Sequence, residues 1–316
     1  MQAVIYDHFG DESVLAVRET AVPQPARGEV QVRVHLASLN PVDFKLRGGM
    51  LRLLGRPKRP AITGKDFAGE VSALGADVQG YALGQRVFGS VDPLGGHGSC
   101  AQFVALATDL VTATPDALTD EVAASLPVAS GTALQALTDI AGLQRDQSVL
   151  ITGASGAVGA SAVQIARSLG ARITGVCGTA NVDYVRAIGA ERVIDYKTDD
   201  WLNLGERFDV VFDAAAVASF NAARPLLTIG GIYINTMPRP ALYWSALVAR
   251  TTSRQRCVPF MLKTDAGLLQ RLAKLAADGV IAPHIHEVIG LADVASAQRR
   301  MRKGKVHGKV CVRVNG

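Results

Sequence analysis

The chain has 316 residues and a mass of 33.2 kDa, a length that suits about two domains. Hydrophobic residues at 48% and charged residues at 19% are typical of a globular protein with an ample core, which excludes a disordered or fibrous chain. The net charge of +5 would suit nucleic acid, but aromatic residues make up only 5% of the chain, which disfavours base-stacking platforms.

Two clusters of basic residues are interpreted as solvated surface. One comprises Arg52, Arg56, Lys58 and Arg59, and the other comprises Arg299, Arg300, Arg302, Lys303 and Lys305. Neither cluster is interleaved with aromatic residues, so we expect no nucleic-acid partner. No uninterrupted apolar run approaches the roughly 20 residues of a membrane helix, so we expect no membrane partner either.

The N-terminal part of the chain, residues 1–120, is predicted to be β-rich. Valine and leucine alternate with polar residues between residues 30 and 36, which is the period of a half-buried strand. Further short strands are predicted at residues 68–74, 85–88 and 101–105. No segment of helical period is evident before about residue 119, where Thr119, followed by two acidic residues, has the pattern of a helix N-cap.

A glycine-rich stretch, residues 148–179, is the central motif of the chain. The apolar run from Val149 to Thr152 has the pattern of a buried strand, and a segment of helical period follows it. Between them, Gly153, Gly156 and Gly159 recur at every third position. In such a turn one glycine permits the bend, one lets the backbone approach a pyrophosphate, and one lets helix and strand pack closely.

The setting of this turn favours a dinucleotide site over the alternative, which is an ordinary strand–turn–helix unit. A strand precedes the turn, a helix follows it, and a second strand comes next. The start of the helix would then hold the phosphates through its free amides and its dipole. The candidate cofactor-binding residues of the turn are Gly153, Ser155, Gly156, Ala157, Val158 and Gly159.

Strands and helices alternate after the glycine turn, which predicts a parallel, doubly wound sheet. Strands are predicted at residues 172–176, 192–196, 208–213 and 231–235, and a helix at residues 218–227. Residues 236–258 lose this rhythm and are interpreted as a long connection. The tail is predicted to form helices at residues 266–277 and 291–302 and strands at residues 283–288 and 309–314.

This order of elements predicts a β domain, a cofactor domain and a tail that returns to the first domain. The predicted domains are residues 1–120, residues 121–256, and residues 257–316 as the second part of the first domain.

The end of the second strand indicates which nicotinamide dinucleotide is bound. NAD sites usually place Asp or Glu there, where the carboxylate binds the ribose hydroxyls. This chain has Val176-Cys177-Gly178-Thr179, without an acid, which favours NADPH over NADH because an acid would repel the 2′-phosphate. Thr179, Asn181 and Tyr196 are candidate donors to that phosphate, and Thr236 completes the candidate cofactor-binding residues.

The histidines and cysteines do not form a recognisable metal site. Only His284 and His286 are close together, and a surface strand explains them better than zinc because no cysteine or carboxylate is clearly positioned to complete the ligands. The four cysteines are widely spaced without a Cys-x-x-Cys pair, as in reduced cytoplasmic proteins. The start of the chain, MQAVIYDHFG, has no signal-peptide pattern, so we expect a cytoplasmic protein.

A series of short motifs runs through nearly the whole chain. They are Asn40-Pro41-Val42-Asp43 followed by Arg47 and Gly49, Gly64 to Val71, Gly84 with Arg86 to Gly89, Thr132 to Leu137, the glycine turn, Ile194-Asp195-Tyr196 and Gly308-Lys309-Val310. In this order and combination they resemble the motifs of the zinc-free quinone oxidoreductases, a branch of the medium-chain dehydrogenase/reductase superfamily.

The resemblance implies an α/β fold with a Rossmann doubly wound parallel sheet and a GroES-like β-rich catalytic domain split in sequence. It also implies NADPH-dependent transfer of hydride to a quinone or an activated alkene, such as an enone or enal, in a homodimer. Zinc-dependent relatives place Cys and a His-Glu pair where this chain has residues 38–43 and Lys65-Asp66. Alcohol dehydrogenation, which relies on a metal as Lewis acid, is therefore not expected.

The resemblance also indicates candidate catalytic residues. Asn40 and Thr132 are candidates either to hold the nicotinamide or to polarise the substrate. Asp43 either fixes its loop or acts as an acid, and both interpretations stay open.

Two further alternatives stay open. In the predicted long connection, Tyr243, Trp244 and Leu247 could line the substrate pocket or form dimer contacts. The protein could also be a cofactor-binding protein with little turnover, used for redox sensing or as an assembly partner, because a fold and a cofactor motif do not fix function.

Overall fold

The computed structural model describes residues 1–50, 60–92, 97–237, 240–252 and 254–315. The chain forms two units, one of Met1–Val128 with Thr264–Gly316 and one of Ala129–Lys263. The sequence places the corresponding boundaries after residues 120 and 256, somewhat earlier in the chain. The first basic cluster, Arg52 with Arg56, Lys58 and Arg59, lies outside the described residues.

The strands follow the predicted pattern of short, valine-rich segments. In chain order they are β1 (Gln2–Tyr6), β2 (Ala16–Glu19), β3 (Glu29–Leu39), β4 (Ala61–Ile62), β5 (Asp66–Leu74), β6 (Arg86–Ser90), β7 (Phe103–Ala107), β8 (Val111–Ala113), β9 (Ser148–Thr152), β10 (Arg172–Cys177), β11 (Arg192–Asp195), β12 (Phe208–Asp213), β13 (Leu227–Asn235), β14 (Arg256–Pro259), β15 (Ile285–Gly290) and β16 (Lys309–Arg313). The bounds of β12 are those predicted, because its four apolar residues, Phe208, Val210, Val211 and Phe212, are all buried.

The helices are mostly short. In chain order they are α1 (Pro41–Arg47), α2 (Asp120–Ser125), α3 (Pro127–Leu134), α4 (Ala157–Ser168), α5 (Val182–Ala187), α6 (Phe220–Ala223), α7 (Pro240–Thr252), α8 (Ala266–Ala277) and α9 (Val294–Arg302). A π-helical segment, Gln135–Ile140, continues α3, and 3-10 turns lie at Glu12–Val14, Thr108–Leu110, Thr179–Asn181, Trp201–Asn203, Arg224–Leu226 and Leu291–Asp293. The predicted cap at Thr119 is confirmed, since its hydroxyl accepts the Val122 N–H (3.4 Å).

The first unit is built on a mostly antiparallel sheet. Among the described residues this sheet has seven strands in the order β15-β16-β3-β5-β6-β8, with β7 also paired to β3, and a smaller sheet has the order β2-β1-β4. Its core is rich in valine, including Val32, Val87 and Val312. The tail strands β15 and β16 belong to this sheet, as the sequence predicted.

A row of small and polar side chains crosses this sheet. Cys311 pairs with Ser38, Ser38 with Asp66, and Asp66 with Ser90, in the register of β16, β3, β5 and β6. Cross-strand partners lie on one face, so these side chains are neighbours. The Ser38 hydroxyl donates to the Ala124 carbonyl of α2 (2.7 Å), which places α2 over the row.

The second unit contains the predicted doubly wound parallel sheet. In the described part of the chain its six strands run parallel in the order β11-β10-β9-β12-β13-β14. The order reverses between β9 and β12, and sheets of this kind bind ligands beyond the carboxyl ends of the strands at that reversal. The predicted fold class, a Rossmann sheet with a β-rich GroES-like domain, is confirmed.

Residues 240–252 and 256–259 contradict the predicted long connection. The first segment is α7, and the second is β14, which extends the parallel sheet beside β13. The helix was missed because large apolar side chains of α7, such as Trp244 and Leu247, are exposed, so its apolar residues do not mark a buried face. No helix in the described parts of the chain is long and apolar enough to cross a membrane.

The prediction that no helix precedes residue 119 is also wrong, because α1 follows β3 directly. Its buried positions include Asp43 and Arg47, so the apolar period that marks most helices is absent. The Arg47 guanidinium donates to the Gly10 carbonyl (2.9 Å) and to Gln298 Oε1 (2.8 Å). These polar contacts hold α1 in place where an apolar face would hold a longer helix.

Candidate active site

The glycine turn joins β9 to α4 and is sterically tight. Gly153 has φ of +61°, in the left-handed region that glycine adopts without strain. A Cβ atom at Gly159 would lie 2.1 Å from the Gly153 carbonyl oxygen, so this position needs hydrogen as its side chain. The helix can therefore start directly against the end of the strand, as the sequence predicted.

The start of α4 is suited to an anion. Gly156 is the N-cap residue, and Ser155, Ala157 and Val158 beside it are partly exposed. No acidic side chain lies in the first turn of the helix. Free N–H groups and the positive end of the helix dipole attract phosphate at such a terminus.

A buried carboxylate marks the point where the strand order reverses. Asp213, the last residue of β12, lies beside Thr152 of β9, whose hydroxyl donates to Asp213 Oδ1 (2.5 Å). Tyr233 OH (2.9 Å) and Asn235 Nδ2 (3.0 Å) of β13 lie against Asp213 Oδ2. This cluster was not predicted from the sequence, although an acidic residue at the end of the mostly apolar strand Phe208–Asp213 is a visible signal.

Thr236 follows β13 at the same edge of the sheet. Its hydroxyl donates to the Ala214 carbonyl oxygen (3.2 Å), which joins the end of β13 to the loop after β12. The predicted cofactor-binding residue Thr236 is thus placed at the carboxyl edge together with the glycine turn.

The end of β10 has more charge nearby than the sequence indicated. Tyr196 is about half exposed, and its hydroxyl would lie 3.2 Å from a Cβ at Gly178. The Lys197 ammonium lies 5.3 Å from the centre of the Tyr196 ring. Hydrogen bonds from the Thr179 hydroxyl and from the Lys197 N–H lower the pKa of Asp195. Lys197 and Asp195 therefore join Thr179 and Tyr196 at this edge.

A second polar cluster lies in the first unit, and we call Asn40, Asp43, Asp66 and Lys309 the buried polar cluster. All four side chains are almost completely buried. Asp66 Oδ2 accepts from Asn40 Nδ2 (2.9 Å) and from the Val128 N–H (3.1 Å). The Lys309 ammonium donates to Asn40 Oδ1 (2.7 Å) and lies 3.4 Å from Asp66 Oδ2.

Strand register explains how these residues meet. Val310 pairs with Leu39 in the antiparallel pair β16 and β3, so Lys309, the first residue of β16, lies opposite Asn40, the residue that follows β3. Asn40 lies two positions after Ser38, the cross-strand partner of Asp66. Side chains two apart on a strand point to the same face, so Asn40 and Asp66 share the face of the polar row.

Burial changes the proton affinity of this cluster. It raises the pKa of the Asp43 carboxyl to about 7, with the Asp66 charge adding to the shift and the Asn40 N–H opposing it. Burial also lowers the pKa of the half-buried Lys65 ammonium, against the charges of Asp66 and Asp43. Among the described residues, Asp43 Oδ1 and Asp66 Oδ1 have no hydrogen-bond partner.

The predicted catalytic residues fall into two places. Asn40 and Asp43 lie together in the buried polar cluster of the first unit, and Thr132 lies on α3 in the second unit, with 7% of its surface exposed. Both polar atoms of the Asn40 amide are engaged inside the cluster. Asp66 and Lys309 belong to the motifs found in the sequence, but no role was predicted for either. Lys309 lies at the start of the valine-rich β16, and a buried lysine in such a strand is unusual.

Comparison with known proteins agrees with this architecture. Residues 26–116 match the model of the alcohol dehydrogenase GroES-like domain, and residues 188–312 match the model of the zinc-binding dehydrogenases. A chloroplast envelope quinone oxidoreductase homolog of Arabidopsis thaliana is 34% identical over 99% of this chain and 98% of its own length. The chain belongs to the quinone oxidoreductase branch of the medium-chain dehydrogenase/reductase superfamily. It is an oxidoreductase.

Two further proteins are similar to this chain. The quinone oxidoreductase of Coxiella burnetii has a solved structure that superposes with a TM-score of 0.91, at 29% identity, covering 100% of this chain and 99% of that one. A 2-methylene-furan-3-one reductase of Solanum lycopersicum is 32% identical over 222 residues, which are 68% of this chain and 57% of that protein.

The zinc ion implied by the name of one family model does not fit the residues of this chain. Asp66 Oδ2 already accepts from Asn40 and Val128 and faces the Lys309 ammonium. A divalent cation bound to Asp66 would lie next to the buried positive charge of Lys309, which would repel it. Within the described ranges, no three His, Cys, Asp or Glu side chains come together to hold a metal.

The first prediction distinguishes the roles of two glycines of the turn, one in binding the cofactor and one in packing. The Gly156→Ala variant should fold, because its Cβ would meet nothing nearer than the Gly153 carbonyl at 3.3 Å, and its φ of −77° suits alanine. It should weaken NADPH binding about tenfold or more, because the methyl group occupies the path of the pyrophosphate. Gly159→Ala should instead lower stability by about 1–3 kcal/mol through overpacking.

Thermal unfolding and fluorescence titration with NADPH measure the two effects. Gly267→Ala is the control, because this helix position in α8 has only Asp265 Oδ1 nearby, at 3.5 Å. A Gly156→Ala variant that binds NADPH like the unchanged protein would contradict the assignment of this turn.

The second prediction concerns Asp43 and pH. Its folded-state pKa of about 7 exceeds the ordinary value of 3.8, so the native state binds more protons than the unfolded chain between these values. The contribution of Asp43 to stability is therefore complete at low pH and is lost as pH rises through about 7. The Asp43→Asn variant lacks this loss, so its stability relative to the unchanged protein should improve steadily from about pH 4 to pH 8.

Chemical unfolding at several pH values tests this, with Asp116→Asn at an exposed position as the control. The asparagine oxygen can still accept the Asn40 N–H that Asp43 accepts, so the cap survives. Parallel pH profiles for Asp43→Asn and the unchanged protein would show that Asp43 is ionised throughout.

Proposed function

We propose that this oxidoreductase transfers hydride from NADPH to a quinone or to an activated alkene, such as an enone or enal, without a metal. The observation that carries the proposal is the glycine turn between β9 and α4, at the reversal of a parallel sheet. The names of the Arabidopsis and tomato relatives, a quinone oxidoreductase homolog and a 2-methylene-furan-3-one reductase, support these two acceptor classes.

The charges at the end of β10 support NADPH over NADH. The Tyr196 hydroxyl lies beside Gly178 at the end of β10, where the adenine ribose of a bound dinucleotide would lie, and the Lys197 ammonium lies 5.3 Å from the centre of the Tyr196 ring. The nearby Asp195 is engaged by the Lys197 N–H (2.9 Å) and by the Thr179 hydroxyl. We propose that Tyr196 and Lys197 bind the 2′-phosphate, while the hydrogen bond from Thr179 keeps the Asp195 carboxylate away from it.

Reduction of a quinone or an enone needs one proton for each hydride. The bound nicotinamide would supply the hydride, and the resulting oxyanion takes up the proton. Asp43 has a pKa of about 7, so near neutral pH about half of its carboxyl groups carry a proton that they can donate. We assign catalytic roles to Asn40, Asp43 and Thr132, with Asp66 and Lys309 fixing the side-chain amide of Asn40.

The assembly and compartment are part of the proposal. Tyr243, Trp244 and Leu247 give α7 an exposed apolar face, which supports a homodimer that covers it. The four cysteines are buried free thiols, which supports a cytoplasmic protein.

The initial rate of NADPH oxidation, followed by absorbance, tests the proposed function. The acceptors are ortho- and para-quinones, 2-alkenals and enones, with NADH in parallel and a chelator in one set. We expect turnover that the chelator leaves unchanged, with kcat/KM about tenfold or more higher for NADPH than for NADH, which is about 1.4 kcal/mol at the transition state.

Three other results would each contradict a different part of the proposal. Loss of turnover with chelator would show a metal enzyme. Equal rates with NADH and NADPH would show that Lys197 does not bind a 2′-phosphate. Saturable NADPH binding without turnover on any acceptor would favour the alternative, a cofactor-binding protein used in redox sensing or assembly.

A further inference from the structure

Asp213 is a buried carboxylate held entirely by hydrogen-bond donors. Its side chain is completely buried, and none of the described lysines or arginines pairs with it. Five donor groups lie within 3.2 Å of its oxygens: Thr152 Oγ1 (2.5 Å), Tyr233 OH (2.9 Å), Asn235 Nδ2 (3.0 Å), Val217 N (3.2 Å) and Ala218 N (2.9 Å). A buried charge without a counter-ion persists only where such donors are fixed in place.

Two of these donors belong to the loop after β12, which we call the 214–219 loop. Ala216 in this loop has φ of +54°, in the left-handed region that alanine rarely adopts. The Val217 and Ala218 amides that follow it point back to the Asp213 carboxylate. Strained backbone of this kind persists where neighbouring contacts hold it, and Asp213 supplies those contacts.

The same loop lies against the glycine turn. The Ala215 N–H donates to the Thr152 hydroxyl (3.2 Å), which itself donates to Asp213. A Cβ at Gly153 would lie 3.0 Å from the Ala215 Cβ, so the two segments are in close contact. Val217 is 67% exposed, so the loop also presents a surface at this edge.

We propose that Asp213 is a positioning residue for the dinucleotide: it holds the 214–219 loop against the glycine turn so that the loop forms one wall of the cofactor site. Asp213 touches no ligand itself, because it is fully buried and its oxygens face donors of the protein. It acts through the loop that follows it. This inference rests on the proposed function, since it requires a dinucleotide at the carboxyl edge of the sheet.

The chain contains a matched control on the same strand. Asp209, near the amino end of β12, accepts from the Ser148 N–H (2.8 Å) and the Ser148 hydroxyl (2.9 Å) at one oxygen. Its other oxygen accepts from the Thr228 hydroxyl (3.2 Å). Asp209 therefore joins three strands as Asp213 does, but at the edge of the sheet away from the glycine turn.

The test compares Asp213→Asn with Asp209→Asn. In each variant an amide group replaces one carboxylate oxygen, so at least two donors lose their acceptor in Asp213→Asn and at least one does in Asp209→Asn. We expect the Kd for NADPH, from fluorescence titration, to rise about tenfold or more in Asp213→Asn and to stay within about twofold in Asp209→Asn. Thermal unfolding without ligand shows how much stability each variant loses.

A fragment of the cofactor distinguishes positioning from general damage. Adenosine 2′,5′-bisphosphate lacks the nicotinamide half, so it needs the end of β10 but not the 214–219 loop. Its Kd should stay within about twofold in Asp213→Asn, while that of NADPH rises. If both ligands weaken equally, Asp213 supports the fold of the unit as a whole and the proposal is overturned.

Tyr233→Phe decides the matter if Asp213→Asn does not fold, because it removes one hydroxyl at Asp213 and leaves four donors. A Kd for NADPH raised severalfold in this variant supports the proposal, and an unchanged Kd overturns it. If the unchanged protein does not bind NADPH, both the proposed function and this inference are contradicted. If the unchanged protein, Asp213→Asn and Tyr233→Phe all bind NADPH tightly, only the inference is contradicted.

Discussion

The close approach of α4 to the end of β9 is the constraint on which the second unit depends. Gly159 has no room for a Cβ against the Gly153 carbonyl, so the helix starts immediately beyond the strand. The N-terminus of α4 therefore lies at the carboxyl edge of the sheet, at the point between β9 and β12 where the strand order reverses. The end of β10, the 214–219 loop and Thr236 follow strands of the same sheet and meet the same edge because all of its strands are parallel.

Asp66 and Asp213, the first in one unit and the second in the other, are both fully buried, and the two carboxylates are stabilised differently. Asp66 in the first unit has the Lys309 ammonium and the Asn40 amide beside it. Asp213 in the second unit has hydrogen-bond donors alone. The Lys309 ammonium also orients the Asn40 amide, to which the proposed function gives a catalytic role.

Sequence patterns predicted the elements whose residues act locally. The glycine turn, the apolar run of β12 and the cap at Thr119 each depend on neighbours within a few positions. The partners of Asn40 could not be predicted in this way, because residues 40, 66 and 309 meet only through the register of three strands. The pKa of Asp43 likewise depends on burial, which the sequence of α1 does not reveal. Helix α7 was missed because its large side chains are exposed.

Hydrogen exchange of the backbone amides with and without NADPH tests whether the dinucleotide binds at the carboxyl edge of the parallel sheet. We expect slower exchange with NADPH in residues 153–159, 195–197 and 214–219, all at this edge. Residues 144–148 and 205–208, at the amino edge, should exchange at an unchanged rate. Protection confined to the amino edge, or unchanged exchange in the glycine turn at saturating NADPH, would contradict the account.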